Sequence, residues 1–275
     1  AAVAAGHCSI ALGSQTSGSV LRPASFCGIV GFKPTFGRLS AAGVTPLAPS
    51  LDHVGILARG VGEASAAARA IDPSIAIDEV GSTLRVRVDD LSWDDAIEPA
   101  SWAALERAGR AFQGIGAALQ AVKLPAAVPR AVELLETLVA YESFQCHGRR
   151  WRALGEALPP RLAELMAAGE STPRGRYDRA LAEREEHRAA IDALFRETDL
   201  LLTPCVPGEA PERATTGDAR YLRPWTFYGL PALTLPVVRG AARLPVGVQL
   251  VAPLGRDGFL LWAARRLEAA LSAAP

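Results

Sequence analysis

The residues of this chain whose types suit nucleophilic chemistry lie close together in the run Gly13-Ser14-Gln15-Thr16-Ser17-Gly18-Ser19-Val20. Serine is a weak nucleophile at its ordinary pKa, so Ser19 can attack an acyl carbon only if a base takes its proton. The residues before it supply the other requirement of such an attack. Thr16, Ser17, Gly18 and Ser19 can aim successive backbone N–H groups into one concavity, a nest that stabilises an oxyanion. Gly18, without a Cβ, lets a carbonyl come close to the backbone. The competing reading is a flexible Gly/Ser turn. Against it, an expected buried helix before the loop and an apolar, Pro-anchored segment after it hold the loop at the edge of the core.

The base is harder to find. The run is not the G-x-S-x-G nucleophile elbow, because Leu21 stands where the second glycine belongs. His7, His53, His147 and His187 are available and Asp52 adjoins His53, but side chains adjacent in sequence point apart, so Asp52 is not expected to orient His53. The chain has two lysines, Lys33 and Lys123, and neither is placed near Ser19 by its local sequence.

The elements that must position these residues read as follows. Residues 1–12 have high helix propensity and predict a buried helix ending at Gly13. Residues 13–60 are dense in Gly, Pro, Ser and Thr with short apolar runs, a loop-rich part of the core. A helix is expected over 61–71, and LRVRV at 84–88 alternates as a strand with Leu84, Val86 and Val88 on one face. Residues 99 to 197 are mostly helical, and the charges of RYDRALAEREEHRAAIDALF are expected to form a solvated face. Strand signals return at 199–207, 231–238 and 245–253, before a final helix at about 257–271. The implied fold is α/β, a mixed β-sheet core flanked by helices, in one domain over 1–275. Its parts are the serine-loop core (1–72), a helical middle (73–198) and closing strands with a final helix (199–275).

Composition narrows the partners. With 49% hydrophobic residues and a formal net charge of +0 over 275 residues, a compact soluble protein is expected. Nothing in the charge points to nucleic acid or an anionic membrane. No apolar run reaches the roughly 18–20 residues that cross a bilayer, and the opening residues lack a basic region of the signal-peptide kind. Cys8, Cys27, Cys146 and Cys205 are scattered without C-x-x-C spacing, which suits buried thiols in a reducing cytoplasm.

The stretch GSQTSGSVLRPASFCGIVGFKPTFGRLS, followed by GVTPLAPSLDHVGILAR, resembles the amidase signature family, whose pattern contains G-T-D-T-G-G-S-I-R-x-P-A-S-F-C-G and then G-x-K-P-T-x-G-R. LLTPCVPGEAP, RPWTFYGLPALTLPV and LPVGVQLVAP resemble the closing segments of that family, so the likeness runs over nearly the whole chain. It implies an amidase-type hydrolase cleaving a carboxamide C–N bond through an acyl-enzyme. Ser19 matches the nucleophile, and Thr16, Ser17 and Gly18 match the oxyanion-hole segment. No cofactor is implied and the partner is a small-molecule amide. The family's base is a lysine acting through a second serine. Both are expected upstream of AAVAAG, so the chain reads as N-terminally incomplete, with little activity alone. Lys33 matches a different, structural lysine.

Gln15 and Leu21 stand where the family commonly has an acid and an arginine, a neutral exchange of both ends of one ion pair. Arg22 either meets substrate or caps a strand, and Trp225, Phe227 and Tyr228 either line an acyl pocket or fill the core. Cys205 is read as a buried thiol. Two further functions stay open: a non-catalytic binding or assembly protein that keeps the fold, and the amidase component of a tRNA-dependent amidotransferase. Association as a homo-oligomer or with a missing N-terminal segment is also open.

Overall fold

The computed structural model describes residues 1–79 and 83–273. Eight strands among them form one mixed sheet in the order β1-β3-β2-β7-β8-β6-β4-β5. The first part of the chain contributes β1 (Ile10–Gln15), β2 (Val30–Lys33) and β3 (His53–Ala58), all antiparallel to their neighbours. The last part contributes β6 (Leu200–Pro204), β7 (Ala232–Arg239) and β8 (Pro245–Val251). The two groups join where β2 pairs with β7, Gly31 opposite Thr234 and Phe32 opposite Leu233. β4 (Arg85–Asp89) and β5 (Ala118–Val122) lie parallel to β6 at the far edge.

The central strands are the apolar ones. All residues of β6 are buried, as are all but the first of β8, the near-continuous apolar run expected of strands covered on both faces. The layer formed by α2 (Val61–Ile71), α3 (Pro99–Gly114) and α8 (Asp257–Ala273) packs on the sheet, with α2 and α3 each against α8. A second group consists of α4 (Ala127–Leu154), α5 (Pro160–Ser171), α6 (Arg174–Leu194) and the short α7 (Arg223–Phe227), gathered around α4. The remaining helix, α1 (Leu21–Cys27), directly follows the serine loop and rests on β2, β7 and β8.

The helix expected over residues 1–12 is absent. Residues 2–7 form turns, and Ile10–Gln15 is a strand. Its register with β3, from Ile10 opposite Ala58 to Gln15 opposite His53, commits these residues to a ladder that local helix propensity cannot override. The strand expected at 84–88 forms as Arg85–Asp89, with Leu84 and Val86 buried, Val88 only half-buried and Arg85 exposed. The segment 13–60, expected to be loop-rich, holds α1, β2 and β3. Residues 118–122, expected within a mostly helical stretch, form β5.

Candidate functional site

Ser19 lies in the turn between β1 and α1, exposed, and its hydroxyl has no hydrogen-bond partner among the described residues. The backbone N–H groups of Thr16, Ser17, Gly18 and Ser19 likewise donate to no group among the described residues. Four adjacent free donors beside one exposed hydroxyl are the raw material of an oxyanion site.

What holds this backbone open is Gln15. Fully buried, it accepts at Oε1 from Val20 N–H at 2.9 Å and from Leu21 N–H at 3.0 Å. Those are the first donors of α1, so the carboxamide serves as the cap that the helix otherwise lacks. Gln15 Nε2 donates to Thr226 Oγ1 at 2.9 Å, and Thr226 Oγ1 donates to Ser17 O at 3.0 Å. Leu21, at the other half of the exchanged pair, is fully buried. The neutral pair therefore keeps the loop by hydrogen bonds and packing, with no charge to compensate.

Other contacts pin the loop from both sides. Thr16 Oγ1 donates to Asp52 Oδ1 at 2.5 Å, while Asp52 Oδ2 accepts from Leu47 and Ala48 N–H. Arg223 Nε donates to Ser17 Oγ at 3.2 Å and its Nη1 meets Glu136 at 2.7 Å. Gly18 is required by packing: a Cβ there would stand 2.8 Å from both Ala219 Cβ and Leu222 Cδ1. Ala219 and Leu222, in the segment before α7, thus fill the space on the Cβ side of Gly18.

Asp52 and His53 do not act together. Asp52 is engaged with the loop, and His53 Nδ1 sits 2.6 Å from Leu51 O, leaving Nε2 buried without a partner among the described residues. Burial, then the nearby Lys33 charge, pushes the His53 pKa well down, so the ring is neutral. Lys33 is fully buried, and its Nζ donates to Leu230 O and Pro34 O at 2.5 and 3.3 Å. Burial lowers its pKa to about 7, partly offset by Asp257. The bond to Leu230 O ties β2 to the turn before β7, a structural use of the lysine. Lys123 is exposed. Cys205 is fully buried, its Sγ donating weakly to Leu21 O at 3.5 Å, and burial raises its pKa to about 12. Arg22 Nη1 donates to Gly217 O at 2.9 Å, a loop carbonyl between β6 and α7 and not a strand end.

Two cavities flank Phe36 near the loop. One, of about 420 Å³, is lined mainly by Phe36, Leu39, Val44 and Pro49, with Asp52 in its wall. The other, of about 250 Å³, lies between α6 and the 226–229 turn and is lined by Thr226, Phe227, Tyr228 and Arg184. Trp225 is core, whereas Phe227 and Tyr228 are buried and also line the cavity. Arg184 was hidden in the sequence within a helix charged nearly all round, where no spacing marked it. Among the described residues no group of three or more His, Cys, Asp or Glu could hold a metal ion, and no helix is long and apolar enough to cross a membrane.

Comparison with known proteins adds a likeness over the whole chain. The family model described as Amidase matches residues 1–261. A glutamyl-tRNA(Gln) amidotransferase subunit of Thermus thermophilus is 32% identical, over 100% of this chain and 67% of that protein. AtzE, the 1-carboxybiuret hydrolase subunit of Pseudomonas sp. (strain ADP), is 31% identical, over 98% of this chain and 64% of its own. A crystal structure of an amidase superposes with a TM-score of 0.87 at 31% identity, covering 94% of this chain and 62% of that one. The chain thus spans about 65% of the length of the curated relatives it matches.

Proposed function

This chain belongs to the amidase family, and from that premise we propose that it carries the nucleophile of a carboxamide hydrolase, Ser19. Ser19 Oγ attacks the amide carbon, and the N–H groups of Thr16, Ser17, Gly18 and Ser19 hold the resulting oxyanion. The amine leaves as the C–N bond breaks, and water then cleaves the acyl–serine ester. The observation that supports this most is the run of four unengaged N–H donors beside the exposed Ser19 hydroxyl, held by buried Gln15.

No basic side chain among the described residues reaches Ser19 Oγ, and the family resemblance gives that proton to a lysine acting through a second serine. The natural polypeptide containing these residues is expected to release ammonia from a small carboxamide. Ser19→Ala is expected to lower that rate by roughly a thousandfold or more, while Cys205→Ala leaves it unchanged. Undiminished turnover in Ser19→Ala would remove Ser19 from the chemistry and favour a non-catalytic role. The 275 residues alone are expected to turn over slowly or not at all. We read them as one domain, working on a small molecule in a reducing cytoplasm.

A second reading, the amidase part of an amidotransferase, is supported by the likeness to the Thermus thermophilus protein. A net charge of +0 gives it no electrostatic footprint for tRNA. Ammonia release without a partner protein favours the first reading; release that requires the partner favours the second.

A further inference from the structure

Glu142 is a carboxylate in the middle of α4, 6% exposed, and it forms no ion pair among the described residues. A buried carboxylate without a cation opposes folding unless hydrogen-bond donors surround it. Three do. Oε2 accepts from Ser50 N–H at 2.9 Å, and Oε1 accepts from Ser50 Oγ at 2.5 Å and from Tyr177 OH at 3.0 Å. Two of those donors belong to one residue of the connection between β2 and β3, which holds no helix or strand from 34 to 52. The same connection receives two more bonds from α4 and α6. His147 Nε2 donates to Pro46 O at 2.5 Å, and Arg184 Nη1 donates to Ser50 O at 3.3 Å.

Ser50 sits in a tight turn that carries Asp52. Leu51 and Asp52 N–H both donate to Ala48 O, at 2.8 and 2.9 Å, and Asp52 Oδ2 closes the turn by accepting from Leu47 and Ala48 N–H. Asp52 Oδ1 is left for Thr16 Oγ1, and that is the one hydrogen bond Thr16 makes among the described residues. Ser17 is held separately, by Thr226 and Arg223. The first of the four free N–H donors beside Ser19 is therefore anchored through Asp52, whose turn is fastened to the helices at Ser50. Such donors stabilise an oxyanion only from the right place, and a displacement of about 1 Å costs roughly a hundredfold in rate.

We propose that Glu142 is a positioning residue for the oxyanion site: by fastening the Ser50 turn to α4 it fixes Asp52, and through Asp52 the Thr16 end of the serine loop. Its effect on rate rests on Ser19 as nucleophile, whereas its effect on the loop does not.

The test reads the loop and the rate side by side in the natural polypeptide containing these residues. In Glu142→Leu the amide resonances of Thr16 and Ser17 should shift or broaden in nitrogen–proton correlation spectra. With benzamide as substrate, kcat should fall by about ten- to a hundredfold while KM changes by less than about threefold. Glu142→Gln, which keeps an acceptor for Ser50 N–H, should recover most of that loss. Ser50→Ala, which leaves α4 untouched, should lower kcat in the same direction, so the outcome does not hang on the folding of one variant. The deciding measurement is a double-mutant cycle with Thr16→Val. If Glu142 acts through Thr16, the two losses in kcat overlap, and the double variant is little worse than the poorer single one. A merely structural carboxylate would lower the melting temperature, and its loss would multiply with that of Thr16→Val. Multiplying losses, or unmoved Thr16 and Ser17 resonances in Glu142→Leu, overturn the proposal. Turnover that survives Ser19→Ala removes the nucleophile and leaves the shifted resonances standing; unmoved resonances, with turnover lost in Ser19→Ala, remove the role of Glu142 alone.

Discussion

Lys33 is fully buried between two backbone carbonyls, and its folded pKa of about 7 lies far below the ordinary 10.5. Between those values the folded chain binds fewer protons than the unfolded one, so stability rises with pH across that window. The contribution is complete above the unfolded pKa and lost as pH falls to about 7, below which folded Lys33 carries its charge. Urea midpoints of the parent should therefore climb from about pH 7 towards about pH 10, relative to those of Lys33→Met. Parallel profiles would mean that the ammonium is stabilised as well inside as in water. Among the described residues its nitrogen meets Leu230 O and Pro34 O and makes no hydrogen bond to Ser19, so it is not placed as the base. Residue type alone made it a candidate; the carbonyls around it decided its use.

The serine loop is positioned by the seat of α1. Ala24 on that helix lies so close to β2 that a Cβ on Gly31 would stand 2.7 Å from Ala24 Cβ and 3.1 Å from Val20 O. Beside it, Ser25 Oγ accepts from Gly247 N–H of β8 at 2.9 Å. Gly31→Val should push α1 off the sheet, lowering stability by about 1–3 kcal/mol by overpacking. Denaturant titration measures it, and an unchanged midpoint would show that the helix can slide without cost. Because Gln15 caps α1, the same shift should disturb the Val20 and Leu21 N–H bonds and with them the loop. The glycine was visible in FCGIVGF, but the need for it came from a helix that local propensity did not announce. Here the tightly packed element is short, and its stability comes from what it rests on.

Across the whole molecule, the sheet brings residues 10–58 beside residues 232–251, with β7 and β8 innermost and β1 and β5 at the edges. The edges are also the wettest strands: Leu12 of β1 is 61% exposed, whereas β6 is buried throughout. Backbone amides of β7 and β8 should therefore exchange most slowly in hydrogen–deuterium exchange, and those of β1 and β5 fastest among the strands. Protection of β1 equal to that of β8 would contradict this ranking. The arrangement also places Thr226, between β6 and β7 in sequence, against Gln15 and Ser17, more than 200 residues earlier in the chain.

The sequence alone determined what depends on neighbours along the chain: the α/β class, the α2 and α8 helices, the strands at 84–88, 199–207, 231–238 and 245–253, and the motif around Ser19. Periodicity and punctuation carry these because each is set within a dozen residues. Only the tertiary structure decided what depends on distant partners. Ile10–Gln15 became a strand because β3 offered a matching ladder, against a helical local preference. Gln15 became a cap because Thr226 arrived to orient its amide. Arg184 and Arg188, two charges among many on α6, came to line one cavity, with Glu185 held by Arg188, and Glu142 held by Ser50 and Tyr177. A charge's partners are a property of three-dimensional competition for them, and no spacing along one helix records its outcome.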